Sequence, residues 1–271
     1  MKHLFVIFIS IPLFFSCKNQ SSEATSNNDS LHEVKNDSTG VNSKIKLPSP
    51  VEFYLFIRES KAQFNAEVLN KLERSSNYIT STQKAINFGV YASDLAYCTV
   101  YEQQQETNNY FKTLKNFAGE LGVNDGYDKT IITRIDKNLN NSDSLYQITN
   151  DSYWKVCNYL EDNKKSTILG SILLGGWIES LFLGFHSVET FNQDNPIVQR
   201  ITEQRYLLDN LLDYLKTVQK SKEINSYIVK LTDLQASFVK LASNPTNILI
   251  TKEQYYELSQ KVFSIRNDIT K

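Results

Sequence analysis

Ile168 to Phe185 is the segment that most limits what this chain can fold into. Ile168, Leu169, Ile172, Leu173, Leu174, Trp177, Ile178, Leu181, Phe182, Leu183 and Phe185 leave a helix there with no polar face. Such a helix is either the centre of a domain or a membrane span. Its length would permit a span. Glu179 argues against one, because an acidic side chain near the middle of a span costs about 2.5–3.5 kcal/mol on insertion scales. The flanking segments are amphipathic and offer no second span. The stretch from Ser166 to about Thr190 is therefore expected to be a core helix wrapped by others.

The rest of the chain after Pro50 repeats its apolar residues at spacings of three and four, the helical period. Val51, Tyr54, Leu55 and Ile57, then Phe64, Val68, Leu69 and Leu72, predict a helix within 50–80. A second, free to bend on the way, is predicted over 81–121, a shorter one over 128–139 after a turn at Asn124-Asp125-Gly126, and another through Leu145, Ile148, Trp154 and Leu160. Asn195-Pro196 opens a helix holding Ile197 to Leu215, and two more are predicted over 223–241 and 251–269. Thr251 and Gln254 have capping-box spacing. Low counts, Gly 9 and Pro 5, favour long helices over a turn-rich β fold. The expected fold is all-α: one domain over 48–271, of about eight helices, antiparallel where the loops are short.

Two segments share a pattern. Gly89-Val90-Tyr91 and Gly175-Gly176-Trp177 each place an aromatic two residues after the first glycine and a leucine, Leu95 or Leu181, six after it. Glycine inside a helix costs about 1 kcal/mol, so close helix-to-helix approach is the expected compensation. The match reads either as two related helical halves packed through these helices or as chance.

The amino terminus carries different information. Lys2 precedes an apolar run, Leu4 to Phe15, then Ser16 and Cys17. A basic start, a short apolar core and a small residue at the cut describe an export signal. With Cys17 at the cut, the segment resembles a bacterial lipoprotein signal. That resemblance implies removal of residues 1–16 and acylation of Cys17. Residues 17–47 are rich in Ser, Asn, Asp, Lys and Thr and read as a disordered tether. Tyr91 to Tyr97, Tyr101 to Glu106 and Gly175 to Leu181 resemble segments of a family of uncharacterised helical bacterial lipoproteins. The resemblance implies a membrane-anchored domain of the cell envelope, outside the cytoplasm, and supplies no activity or cofactor.

Candidate chemistry is sparse. Asp94, Tyr97 and Tyr101 share a helix face, and with Tyr91, Trp177 and Glu179 some of them could line a ligand pocket between the two glycine-aromatic helices; a satisfied buried carboxylate is the plainer reading. Glu179, His186 and Glu189 are the one metal-like set, but their order is not that of a helical di-iron site, and no metal is expected. Cys98 and Cys157 read as two buried thiols rather than a bridge. No Gly-x-Ser-x-Gly elbow or phosphate loop occurs, so the domain is read as non-enzymatic. A formal charge of −1 gives no footprint for nucleic acid. Two roles remain: a scaffold that binds an envelope protein or peptide through a tyrosine-rich surface, or a small-molecule or lipid binder. Two or more acyl chains, at about 0.8 kcal/mol per buried methylene, give stable anchoring. Cys17→Ala is accordingly expected to move the protein from the detergent-rich to the aqueous phase of a Triton X-114 partition; a variant that stays detergent-rich would remove Cys17 as the anchor.

Overall fold

The computed structural model describes residues 47–124, 129–138, 141–218 and 221–271. The signal, Cys17, the tether up to residue 46 and the turn residues Asp125 and Gly126 lie outside them. The described residues belong to one compact unit. They hold nine α-helices and no strand: α1 (Pro50–Glu59), α2 (Ser81–Val100), α3 (Gln104–Glu120), α4 (Lys129–Asn138), α5 (Ser142–Asp162), α6 (Ser166–His186), α7 (Pro196–Thr217), α8 (Lys222–Lys240) and α9 (Lys252–Ile269). Short 3-10 turns occupy Ala66–Val68, Leu72–Asn77 and Leu241–Ser243.

The helix starts are set by side chains that satisfy the free amides of a first turn. Thr80 with Gln83 and Thr251 with Gln254 form reciprocal capping boxes. Asn195 caps α7 ahead of Pro196, and Ser221 caps α8. The apolar segment becomes α6, with every residue from Leu169 to Phe185 buried. It ends at His186 rather than near Thr190, where the Val188 amide turns back to the Phe185 carbonyl three residues before it, at 3.3 Å, and leaves the helical ladder.

α6 packs most extensively against α2, and glycine is the reason. A Cβ on Gly89 would stand 2.0 Å from the Ile172 carbonyl oxygen, and one on Gly175 would stand 1.9 Å from that of Ile86. Each glycine thus sits on the carbonyl three residues before the other. The two helices meet by a reciprocal, two-fold-like relation, the geometry expected of two related halves. Contacts climb both helices together, from Ile86 and Gly175 through Gly89 and Gly176 to Ser93 and Ser180, so α2 and α6 run in the same direction. Around this pair α3 packs on α2, α7 on α6 and α9 mainly on α6, while α1 and α5 touch both.

Two expected helices are shorter than the periodicity suggested. The segment over 50–80 holds only α1, which stops at Ser60; Lys61 then takes a left-handed φ of 69°. From there to residue 80 the chain is a strap whose backbone is satisfied by side chains from α2, α3 and α9. Tyr101, Tyr91 and Tyr110 donate to the carbonyls of Ala62, Lys71 and Asn70, and the Asn65 amide donates to Tyr97. The expected helix over 81–121 is broken into α2 and α3. Glu102 adopts a φ of 60°, and the Gln103 amide closes the end of α2 on the Cys98 carbonyl at 2.9 Å. No glycine or proline marks this break in the sequence.

Gly89→Ala forces a methyl against backbone that cannot move aside, and is expected to cost about 3 kcal/mol. Gly119→Ala in α3 meets only the Asn124 side chain at 3.7 Å and is expected to stabilise by about 0.4–1 kcal/mol. Urea denaturation of the two variants checks both signs; equal effects would discard the close-contact account.

Candidate functional site

Five residues were candidates for a pocket: Tyr91, Asp94, Tyr97, Trp177 and Glu179. The glycine contact leaves no space between α2 and α6 themselves, and the structure divides the five between the two sides of this helix pair.

Asp94 and Glu179 meet on one side, both fully buried. They sit just beyond the glycine contact, at the level where Ser93 and Ser180 also pair at 3.0 Å. Arg266 of α9 grips Glu179 with two bonds, Nε to Oε2 at 3.0 Å and Nη2 to Oε1 at 3.1 Å. The bidentate geometry suits a guanidinium. The Asn70 amide donates to Asp94 Oδ2 at 3.2 Å. One guanidinium balances one carboxylate. Burial, reinforced by the Glu179 charge, pushes the Asp94 carboxyl well above its ordinary value, so Asp94 keeps a proton and offers it to Glu179. Burial also raises Glu179, but Arg266 opposes this and holds it as the charged member.

Tyr91 and Tyr97 belong to the packing around this pair. Tyr91 packs with Tyr78, Tyr110 and Phe117, and Tyr97 with Tyr54, Phe64 and Tyr101. Their hydroxyls serve the strap. None of the four residues Tyr91, Asp94, Tyr97 and Glu179 lines the cavity that Trp177 borders. The pair, with Arg266, ties α2, α6 and α9 together in the core.

Trp177 faces elsewhere. It lines a cavity of about 390 Å³ bounded by α2, α5, α6 and α7, with the first residues of the domain, Leu47 to Phe53, at its edge. Gly89, Ala92 and Ala96 form a stripe of small residues on α2, and too little side chain projects from that face to fill the space. Leu95, Phe111, Leu114, Val156, Ile172 and Leu173 supply apolar wall. At the rim stand Glu52, Glu203 and Arg200. Arg200 is engaged, bonding Glu203 at 3.0 Å and lying 4.5 Å from the centre of the Phe56 ring. Cys157 also borders the cavity, and burial pushes its thiol up to about 12, which keeps it protonated and unreactive. Trp177 is buried, and its indole Nε1 has no hydrogen-bond partner among the described residues. An unpaired buried donor costs about 1–3 kcal/mol.

The cavity residues Ala92, Ala96, Thr149 and Ser152 were not singled out from sequence. Their signal is a run of small side chains at helical spacing, which reads equally as a tight helix contact. Cys98 and Cys157 are both buried and unbridged, as expected. His186 does not join Glu179. It lies two turns further along α6, about 10 Å away by helix rise, exposed, with Nδ1 at 2.9 Å from the Phe182 carbonyl oxygen. Among the described residues no three His, Cys, Asp or Glu side chains gather in a way that could hold a metal ion. Most of the tyrosines pack between helices, as semi-buried packing residues would: Tyr54, Tyr78, Tyr91, Tyr97, Tyr110, Tyr227 and Tyr255 are buried, Tyr101, Tyr146, Tyr153, Tyr159 and Tyr214 are half-buried, and Tyr206 and Tyr256 are exposed.

Asp94 holds in the folded state a proton that the unfolded chain releases above its ordinary pKa of 3.8. Its contribution is therefore fully present below that pH and is lost as the pH rises. Asp94→Asn keeps a neutral donor toward Glu179, so its stability is expected to fall less steeply with pH than that of the wild type. Glu179→Gln removes the carboxylate that grips Arg266 with two bonds and is expected to cost about 3–5 kcal/mol. Urea unfolding from pH 4 to 8 tests both; parallel wild-type and Asp94→Asn curves would mean that Asp94 is ionised.

No known family model matches the chain, and neither a curated protein nor a solved structure does.

Proposed function

We propose that this chain is a bacterial envelope lipoprotein, anchored through acylated Cys17, whose helical domain takes an apolar small molecule or lipid into the cavity between α2, α5, α6 and α7. The observation that carries this reading is the cavity itself. Its volume of about 390 Å³ falls in the range of small-molecule sites, and its wall is mainly apolar with a few polar groups. Well-packed interiors hold few voids larger than a water molecule, so a space of this size in a domain with a continuous core calls for an occupant. Leu47, Pro48 and Pro50 border it, which sets the cavity beside the start of the folded domain. An anchored protein samples the apolar molecules of its membrane at high local concentration, and an apolar site suits that supply.

A scaffold that binds an envelope protein or peptide is the other reading. It has less support, since among the described tyrosines only Tyr206 and Tyr256 are exposed. Neither reading needs a cofactor or nucleic acid.

Ala92 is half-buried on α2 and borders the cavity, so Ala92→Leu adds bulk there without disturbing the glycine contact. The expected result is loss of apolar small molecules that co-purify with the wild type, read by mass spectrometry of solvent extracts, with an unchanged or higher melting temperature. Retention of the same molecules by Ala92→Leu would overturn the cavity as their site. A stoichiometric protein partner recovered with both forms would favour the scaffold.

A further inference from the structure

The two-fold relation between α2 and α6 makes Tyr91 and Trp177 equivalent, each two residues beyond its contact glycine. Their surroundings differ. Tyr91 lies in a filled half, packed by Tyr78, Tyr110 and Phe117, and its hydroxyl donates to the Lys71 carbonyl at 2.9 Å. Trp177 lies in the open half. It is 6% exposed, it lines the cavity, and its indole N–H has no acceptor among the described residues. Two hydroxyls that share the lining are committed elsewhere: Ser152 donates to the Ile148 carbonyl and Ser180 to that of Gly176. The donor is matched where the space is filled and unmatched where it is open.

Resting on the cavity being a ligand site, we infer that its occupant is an uncharged, mainly apolar molecule with a carbonyl, ester or ether oxygen that accepts the Trp177 Nε1 hydrogen. The apolar wall selects the body of such a molecule, and the indole selects the oxygen, since a buried donor left unpaired penalises any occupant that lacks an acceptor. The rim argues against an anionic head group. Glu52 and Glu203 face it with carboxylates, and the Arg200 guanidinium is already held by Glu203 and the Phe56 ring. A fatty carboxylate would meet net negative charge there, whereas a ketone, ester or quinone-like carbonyl would not.

The test uses the full chain carrying Cys17→Ala, free of detergent, and three probes of similar shape: 2-acetylnaphthalene, 2-isopropylnaphthalene and 2-naphthoate. Dissociation constants are measured by equilibrium dialysis for this protein and for its Trp177→Phe derivative. The preference for the acetyl over the isopropyl probe is expected to fall about tenfold on loss of the indole, as for one hydrogen bond, and naphthoate is expected to bind more weakly than the acetyl probe. In a Trp154→Phe background the remaining indole N–H proton resonance should move downfield with the acetyl probe and not with the isopropyl probe; this readout does not depend on the Trp177 variant folding. If both neutral probes bind and are lost in Ala92→Leu, yet the preference survives Trp177→Phe or the indole resonance stays put, the inference fails and the ligand cavity stands. Tighter binding of naphthoate overturns the uncharged class. If no probe binds, both the inference and the ligand-site reading fall.

Discussion

The backbone contact between α2 and α6 is the constraint on which the rest of the domain depends. Two helices brought this close by Gly89 and Gly175 cannot choose what lies immediately beyond the contact. Ser93 must face Ser180, and Asp94 must approach Glu179. The first pair resolves itself, with Tyr54 joining at 2.5 Å from Ser93 and the Gly176 carbonyl accepting from both serines. The second cannot, because two carboxylates away from water repel and lose hydration. One proton and one guanidinium neutralise it. The guanidinium comes from Arg266, so the place of α9 in the fold is a result of the α2–α6 contact. Further bonds hold the end of that helix, from Asn87 to the Ile269 carbonyl at 2.9 Å and from Arg74 to that of Thr270 at 3.2 Å.

Much of this was readable in the residues. The apolar segment could only be a core helix once Glu179 was weighed, and the two glycines pointed to close approach. The capping box at Thr251 was legible because its hydrogen bonds are local. The departures from expectation are also physical. Phe64, Val68, Leu69 and Leu72 keep helical spacing, yet they lie in the strap, because tyrosines from distant helices take over the backbone partners a helix would have supplied. The break at Glu102 has no glycine or proline to announce it; a tertiary position imposes the left-handed residue. For the site, Asp94 and Glu179 were identified as polar groups in an apolar setting, but sequence could not show on which side of the helix pair each would fall. Trp177 alone of the five borders the cavity, since a two-residue step from glycine turns it toward α5 and α7 and turns Tyr91 toward α3.

The two halves around the central pair therefore differ in one respect that matters. On the Tyr91 side aromatic rings interlock and every named hydroxyl is matched. On the Trp177 side Ala92 and Ala96 of α2, with Thr149 and Ser152 of α5, stop short of one another. Walls that face a gap forfeit dispersion attraction and do not recover it, so such a space lowers stability unless it is occupied. Keeping small residues there is consistent with a site and inconsistent with a core built for stability alone.

The strap over 60–80 has a consequence for how the chain assembles. Much of its hydrogen bonding is to side chains of α2, α3 and α9 rather than to its own backbone, so that network contributes nothing until those helices are in place. Local helices can form on short timescales, whereas contacts between distant parts of the chain wait for loop closure. The strap consequently orders late, and it brings the Asn70 amide that completes the coordination of Asp94. Closing the strap also shuts the Asp94–Glu179 pair off from water, so the segment that orders last is the one that seals the polar centre of the core.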